Sequence, residues 1–305
     1  MTKFILGRLG MAILVAITVS AVTFLMLNLS GDPAIAIAGE TASPETIAKI
    51  RAQYGFDQPL VIQYWRWLLS AVSGDLGMSY YFKVPVSDLI AQRIGVTMLL
   101  GALGISFALL LSIPLGVLAA VRPNSMIDRM SLFLAVVGQA IPSFWGGLLL
   151  IVLFAIKLRW LPASGSSSWQ NFVMPTIVLG YYATPALMRL TRAGMIEVLS
   201  SDYIRTAKAK GLSTSKILFK HALRNAVIPV VSLAAVQMGF MLGGSIVVES
   251  VFALQGAGLL AWQSIARNDL PTMQALILLF SMFYIFFTLV ADVLNAWLDP
   301  RLRSN

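Results

Sequence analysis

VTMLLGALGISFALLLSIPLGVLAAV, residues 96–121, lies between Arg93 and Arg122 with no charged side chain inside it. A bilayer core of about 30 Å needs roughly 20 apolar residues as helix, and a central Arg or Lys costs about 2.5–3.5 kcal/mol on insertion scales. The stretch therefore reads as a membrane-crossing helix whose flanking arginines mark its limits. Five other segments read the same way: 9–29, the stretch between Arg129 and Lys157, and about 172–188, 226–248 and 270–291. The fourth is the weakest, because residues 163–170 before it are polar and read as a loop. Composition agrees. The 305 residues are 58% apolar and 11% charged, with a mean hydropathy of +0.82. A water-soluble core cannot hide that much apolar surface, and disorder requires low hydropathy. The expected fold class is an all-α polytopic membrane protein with six transmembrane helices.

Net charge is +9. In a membrane protein this reads as basic cytoplasmic loops rather than nucleic-acid binding. With the N-terminus inside, the inner pieces carry Lys3, Arg8, Arg122, Arg129, Arg189, Arg192, Arg205, Lys208, Lys210, Lys216, Lys220, Arg224, Arg301 and Arg303, which is 14 of the 22 basic residues. The short outer loops hold only Lys157, Arg159 and Arg267; the other five sit in a long first loop, where charge says little about topology. The expected orientation is N-in and C-in. Segment 9–29 is too long for a typical signal-peptide core and lacks an A-x-A-like end, so it reads as a retained first helix. Trp65, Trp67, Trp160, Trp169 and Trp262 all fall in outer pieces, as interfacial anchors do. The domain reading is an N-terminal helix at 1–30, an extracytoplasmic subdomain at 31–93, a five-helix core at 94–297 with a cytoplasmic loop at 189–225, and a cytoplasmic tail at 298–305.

Pro114 and Pro142 fall inside the second and third segments, where a missing N–H kinks a helix. Gly101, Gly104, Gly116, Gly138, Gly146, Gly147, Gly239, Gly243 and Gly244 permit close helix approach; composition does not separate plain packing from a bundle that moves. In the outer loop, Ser43-Pro44-Glu45 reads as an N-cap with proline at the first helical position, Ile47, Ile50 and Tyr54 follow at helical spacing, and Gly55 stops the helix. A second aromatic stretch covers Tyr64–Leu69. This loop is either a structural cap or a contact for an external partner.

The cytoplasmic loop holds the sharpest local signals. Ser200 or Ser201 can cap a helix beginning at Asp202, whose charge suits the positive helix end, while Lys208 and Lys210 suit the negative one. Gly211 is a C-terminal stop, and Ser213 starts a second short helix toward Arg224. Tyr203, Ala207 and Lys210 or Gly211 share a face that a partner protein could approach; a solvated basic loop is the other reading. Gln139 and Gln237, within spans, either bond helix to helix or line a path.

Much chemistry is excluded. No P-loop sequence and no H-E-x-x-H occurs, there is no cysteine, and the lone His221 lies in the cytoplasmic loop. No charge lies near a span centre, which disfavours an ion-coupled secondary transporter. A pore driven from elsewhere fits better.

The run Asp202-Tyr203-Ile204-Arg205-Thr206-Ala207-Lys208-Ala209-Lys210-Gly211, followed by His221-Ala222-Leu223-Arg224-Asn225-Ala226-Val227-Ile228-Pro229, resembles the cytoplasmic loop of binding-protein-dependent ABC importer permeases. More narrowly, the chain resembles the B-type subunit of the dipeptide, oligopeptide and nickel group. Gly31-Asp32-Pro33, Asp57-Gln58-Pro59, Gly74-Asp75-Leu76-Gly77, Gly243-Gly244-Ser245-Ile246-Val247-Val248-Glu249 and Leu298-Asp299-Pro300-Arg301 extend the likeness along the whole chain. Against the general motif E-A-A-x3-G-x9-I-x-L-P, the first two positions hold Arg205 and Thr206, Ala207 matches, His221 replaces the isoleucine, Leu223 matches, and Arg224 replaces the proline. The peptide group shows such an R-T-A version with its proline later, as at Pro229.

The resemblance implies a type I ABC importer permease fold in a bacterial inner membrane. It implies a non-catalytic half-permease that pairs with a second homologous permease, two cytoplasmic ATPase subunits and an external solute-binding protein. ATP and Mg would be held by the ATPases, with no cofactor in this chain and no nucleic-acid partner. Asp202, Tyr203, Arg205, Thr206, Ala207, Lys208, Lys210 and Gly211 would form the ATPase-coupling helix, with Gln139 and Gln237 as candidate pathway residues. The implied cargo is a dipeptide or oligopeptide, with glutathione and nickel chelates as alternatives.

Overall fold

The computed structural model describes residues 2–39 and 41–298. The expected tail at 298–305, with Asp299, Pro300, Arg301 and Arg303, lies outside the described residues from 299 onward. No β-strand occurs among the described residues, apart from an isolated bridge between Met78 and Pro85. The helices are α1 (Thr2–Ser30), α2 (Pro33–Ala38), α3 (Pro44–Tyr54), α4 (Leu60–Val72), α5 (Val86–Val121), α6 (Met126–Ala140) and α7 (Ser143–Leu150), the last running on as a π-helical stretch, Ile151–Lys157. Then come α8 (Gln170–Leu199), α9 (Asp202–Ala209), a second π-helical stretch (Lys216–Ala222), α10 (Leu223–Ala226), α11 (Ile228–Phe252), α12 (Ala257–Ala266) and α13 (Leu270–Leu298).

Among the described residues, four helices are long and apolar enough to cross a bilayer, over Leu6–Leu29, Val86–Val121, Ile228–Phe252 and Leu270–Ala296. The other two expected spans are helical but differ in form. The third is broken at Pro142, because the residue before a proline is pushed out of the helical region. Ile141 is extended, at φ −95° and ψ 121°, so α6 ends and α7 starts afresh. The fourth belongs to a longer helix: α8 continues past 188 through Arg189 and Arg192 to Leu199. Pro114, by contrast, sits inside an unbroken α5. That helix starts at Val86, so the expected boundary at 93 falls within it.

Contacts fix the directions. Virtual Cβ positions at Gly104 and Gly116 meet Leu179 and Thr191, so α5 and α8 run parallel. Gly101 faces Met238 and Leu242 while Thr97 bonds Glu249, so α11 runs against α5. Gly239 lies on Tyr284 and Phe287, while Ile246 packs on the cluster that holds Ala275 and Leu276, so α13 runs against α11. Arg8 pairs with Asp292 at 3.1 Å, which brings the start of α1 and the end of α13 to one end of the bundle. That is the end where α5 and α8 finish and α9 sits. At the other end lie α2–α4. Ser43 caps α3 by accepting from Thr46 N, and Gly55 closes it at φ 71°. Tyr64 of α4 packs edge-on to Phe24 and hydrogen-bonds Ser20 of α1 at 2.8 Å. Trp65, Trp160, Trp169 and Trp262 are exposed, consistent with interfacial anchoring.

The glycines divide into two kinds. A Cβ on Gly180 would stand 2.4 Å from the Gly104 carbonyl oxygen, and one on Gly116 2.6 Å from Thr191 Cβ, so α5 and α8 touch backbone to backbone. Gly101, Gly147 and Gly239 are also closely faced, whereas Gly243 and Gly244 have nothing within 4 Å. Packing accounts for the first group and leaves the second open. Gly180→Val should therefore cost at least the 1–3 kcal/mol typical of overpacking, roughly. Gly243→Ala should leave the melting temperature of the detergent-purified chain almost unchanged. Equal tolerance at both positions would contradict the backbone contact.

Candidate functional site

The loop helix is built as two faces. α9 starts at Asp202 with Ser201 extended before it at φ −71° and ψ 154°, as an N-cap residue should be. The serine side chain does not cap, however. Ser201 Oγ donates to Val198 O at 2.6 Å, and Ser200 Oγ donates to Glu197 O at 2.7 Å. Both hydroxyls finish α8 instead of starting α9. The C-terminal end follows expectation: Gly211 takes the left-handed conformation at φ 72°, and Leu212 N returns to Ala207 O at 3.3 Å. Only glycine adopts that φ without strain.

Ile204 and Ala207 are buried, at 0% and 7% exposure. They enter a core with Val117 and Ala120 from the end of α5, Met195 from α8, and Ile217, Ala222 and Ala226 from the following segment. This corrects the expected sharing of one open face by Tyr203, Ala207 and Lys210. Ala207 faces the chain's own interior, because Ile204 three residues earlier draws that side inward. Asp202, Tyr203, Arg205, Thr206, Lys208, Lys210 and Gly211 are exposed. Arg205 pairs with Asp202 at the surface, where such pairs contribute little. Tyr203 is tethered, its hydroxyl accepting from Asn225 Nδ2 at 2.8 Å. α9 is thus a short polar ridge rooted by two apolar side chains in the ends of the long helices.

A brace beside it was not legible from composition. Arg192 Nε donates to Asp128 Oδ1 at 2.7 Å and its Nη2 to Oδ2 at 2.6 Å, while Asn124 N donates to Oδ2 at 2.8 Å. The Asp128 side chain is 3% exposed. The two-pronged fork ties the start of α6 to the end of α8, and the Arg192 guanidinium holds the Asp128 carboxyl below the usual carboxylate range. A local signal existed: Ser125, whose Oγ accepts from Asp128 N, stands three residues before an acid, close to a capping box.

At the opposite end, Glu249 is fully buried. Its Oε1 accepts from Thr97 Oγ1 at 2.8 Å and its Oε2 from Leu259 N at 2.9 Å. Thr97 Oγ1 in turn accepts from Ala257 N at 2.8 Å. The carboxylate sits at the N-terminal end of α12, which favours negative charge. The fit needs bare backbone, since a Cβ on Gly256 would come 2.3 Å from Glu249 Oε2. Asp269, also buried, accepts from Ser79 Oγ, Tyr80 N and Thr272 Oγ1, and so pins the outer loop to the start of α13. The two acids join α5, α11, α12, α13 and the loop before α5 into one assembly at this end of the bundle.

Of the two glutamines, Gln139 is exposed on α6 near the break at Pro142, and its Nε2 donates to Tyr182 O at 3.4 Å, a long bond between helices. Gln237 is half-buried on α11. The structure does not bring them together with α9. His221 is half-buried in the π-helical stretch rather than freely solvated.

Asp128→Asn should lower stability by about 1.5–3 kcal/mol at neutral pH, the scale of a hydrogen bond to a charged group. The folded carboxyl titrates below its unfolded value. The stabilisation is therefore fully present above about pH 4 and disappears as pH falls through the depressed folded value. Melting curves of the two proteins should differ at pH 7 and converge in acid. At the opposite end, Gly256→Ala and Glu249→Ala should each destabilise. Their combined effect should be less than the sum, measured by a double-mutant cycle, because both empty the same cradle.

The chain as a whole is similar to known proteins. Residues 112–304 match the family described as binding-protein-dependent transport system inner membrane component, and residues 1–101 match its N-terminal companion family. The glutathione transport system permease protein GsiC of Escherichia coli O6:H1 (strain CFT073) is 44% identical over 304 residues, covering 99% of each chain. The proteins of that name from Escherichia coli K12 and Salmonella paratyphi A are 43% identical over the same share. An inward-facing structure of the MetNI methionine ABC transporter aligns with a TM-score of 0.59 at 18% identity, covering 69% of this chain and 96% of that one. An amino acid ABC transporter solved with histidines gives 0.50 at 16%, covering 70% and 94%. These two show a shared fold. The chain belongs to the family of binding-protein-dependent ABC importer permeases, as a membrane-embedded transport subunit.

Proposed function

We propose that this chain is one half of the translocation pathway of a peptide-class importer, driven through α9 by separate ATPase subunits. The observation that carries the reading is the division of α9 into a buried root, Ile204 and Ala207, and an exposed polar ridge, Asp202–Lys210. A ridge rooted in the ends of α5 and α8 and in the segment leading into α11 would move those helices when it is pushed. Two ATPase subunits would grip this ridge and its counterpart on a second, homologous permease, hold ATP and Mg, and close on binding it. An external solute-binding protein would deliver cargo to the end formed by α2–α4, Glu249 and Asp269. Moving a two-state population from 1:99 to 99:1 needs about 5.5 kcal/mol of differential binding. ATP and the docked binding protein would supply it together, since a ligand shifts an equilibrium only by its differential affinity.

In this reading all six expected spans cross the inner membrane, N-in and C-in, with the broken α6–α7 pass as the third and the first part of α8 as the fourth. The alternating directions and the Arg8–Asp292 pair support that arrangement. Gln139 and Gln237 are proposed to line the path, Gln139 beside the break at Pro142. For cargo, the reading is a short peptide. Relatives named for glutathione transport at 43–44% identity favour glutathione within that class.

Two experiments test this. The chain has no cysteine, so single cysteines report cleanly. In the assembled transporter, Arg205→Cys and Lys208→Cys should cross-link to an ATPase subunit, while the buried Ala207→Cys should react at least tenfold more slowly. Cross-links only to lipid or to a second copy of this chain would end the coupling assignment. For cargo, uptake of labelled glutathione into proteoliposomes holding the whole assembly should exceed uptake of a simple dipeptide. The reverse order would favour general dipeptides.

A further inference from the structure

Behind α9, the second π-helical stretch presents a surface of a different kind. Phe219 is 61% exposed, although it is a large apolar ring. Lys216 and Lys220 flank it and Arg224 follows, all exposed. On the other side of the same stretch, Ile217 and Ala222 are buried against Val117 and Ala120, in the last turn of the apolar α5. A virtual Cβ on Gly194 stands 3.0 Å from the carbonyl oxygen of Ala226, so α10 lies alongside the last turns of α8, while Ile217 and Ala222 hold the stretch itself in one cluster with the apolar end of α5. Its depth is therefore that of the boundary between apolar helix and water. No acidic residue occurs between Asp202 and Glu249, so nothing within that segment neutralises the three cations.

We propose that this surface is an anchor for anionic phospholipid. Phe219 inserts at the level of the upper acyl chains, while Lys216, Lys220 and Arg224 meet the headgroup phosphates. The pairing of an exposed aromatic ring with long basic side chains at the membrane border is the chemistry of an interfacial anchor. Two features favour lipid over a protein groove. The depth places the ring where acyl chains end. The charge is of one sign, whereas the ridge of α9 mixes Asp202 with its bases and ties its aromatic ring, Tyr203, to Asn225. The anchor would hold the base of α9 at a fixed depth. Naming the cytoplasmic leaflet rests on the orientation proposed above; contact with lipid does not.

The test uses the full chain carrying Phe219→Cys with a nitroxide label, in vesicles of phosphatidylcholine with or without one-quarter phosphatidylglycerol. Lys208→Cys on the α9 ridge serves as the water-exposed reference. With phosphatidylglycerol, the label at 219 should be relaxed by oxygen several-fold more than by a water-soluble nickel chelate, and the label at 208 should show the opposite. Adding Lys216→Gln and Lys220→Gln should lower the ratio of inserted to water-exposed label on the order of tenfold or more. Omitting phosphatidylglycerol should do the same. Nickel-chelate access at 219 equal to that at 208 in both vesicles would overturn the proposal. Insertion that is independent of phosphatidylglycerol would overturn its anionic component. A label at 219 that is shielded only after ATPase subunits are added would assign the surface to protein instead. Because depth is read in either leaflet, failure here is distinct from failure of the orientation, which labelling by an impermeant thiol reagent reports separately.

Discussion

Burial of Ile204 and Ala207 among Val117, Ala120, Met195 and Ala226 is the contact on which the rest depends. α9 has eight residues. A helix that short is marginal alone in water, and tertiary packing must hold it. Two apolar side chains supply that packing by joining a core built from the ends of α5, α8 and the segment leading into α11. Transferring a Leu- or Ile-sized side chain from water contributes roughly 1.5–3 kcal/mol. In the coupling role proposed above, the same contact would make α9 a lever, since a shift of α9 would carry the helices packed on Ile204 and Ala207.

In that proposal the lever would act on a stiff bundle. α5 and α8 meet through Gly104, Gly116 and Gly180 at backbone distance, and a packed interface of this kind transmits displacement instead of absorbing it. Asp128 and Arg192 lock the start of α6 to the end of α8 beside the lever. At the far end, Glu249 seats α11 on α12 and Asp269 seats the outer loop on α13. Both ends are therefore fastened by buried polar contacts, while the middle relies on small residues and carries the break at Pro142.

Much of this could be read locally. Charge-free runs located the apolar centres of the long helices, because the cost of a charge in hydrocarbon is large and acts residue by residue, but not their ends, since α5 starts before Arg93 and α8 runs on past Arg189. Ser43-Pro44 and Gly55 bounded α3, and Gly211 ended α9, because caps and left-handed stops are decided within a few residues. Long-range pairing was not readable in the same way. Arg192 counted only as a loop charge, since its partner Asp128 lies 64 residues earlier. Glu249 stood near the end of a span and inside a family-like motif, but its role needed Thr97 and the bare backbone at Gly256, which the fold alone brings to it. The inward turn of Ala207 was missed for the same reason: helical spacing says which residues share a face, and only the neighbouring helices say which face is covered. Ser200 and Ser201 matched a cap by type, yet their hydroxyls bond backward to the end of α8.

The most direct measurement of the central claim is the number of ATP molecules hydrolysed per solute delivered by the reconstituted transporter carrying Ile204→Ala, at matched amounts of assembled complex. A rooted lever predicts that the ATPases still bind through the intact polar ridge and still hydrolyse ATP, while delivery falls, so that the ratio rises several-fold. An unchanged ratio in a folded, assembled variant would show that force reaches the membrane helices by some route other than the buried side of α9.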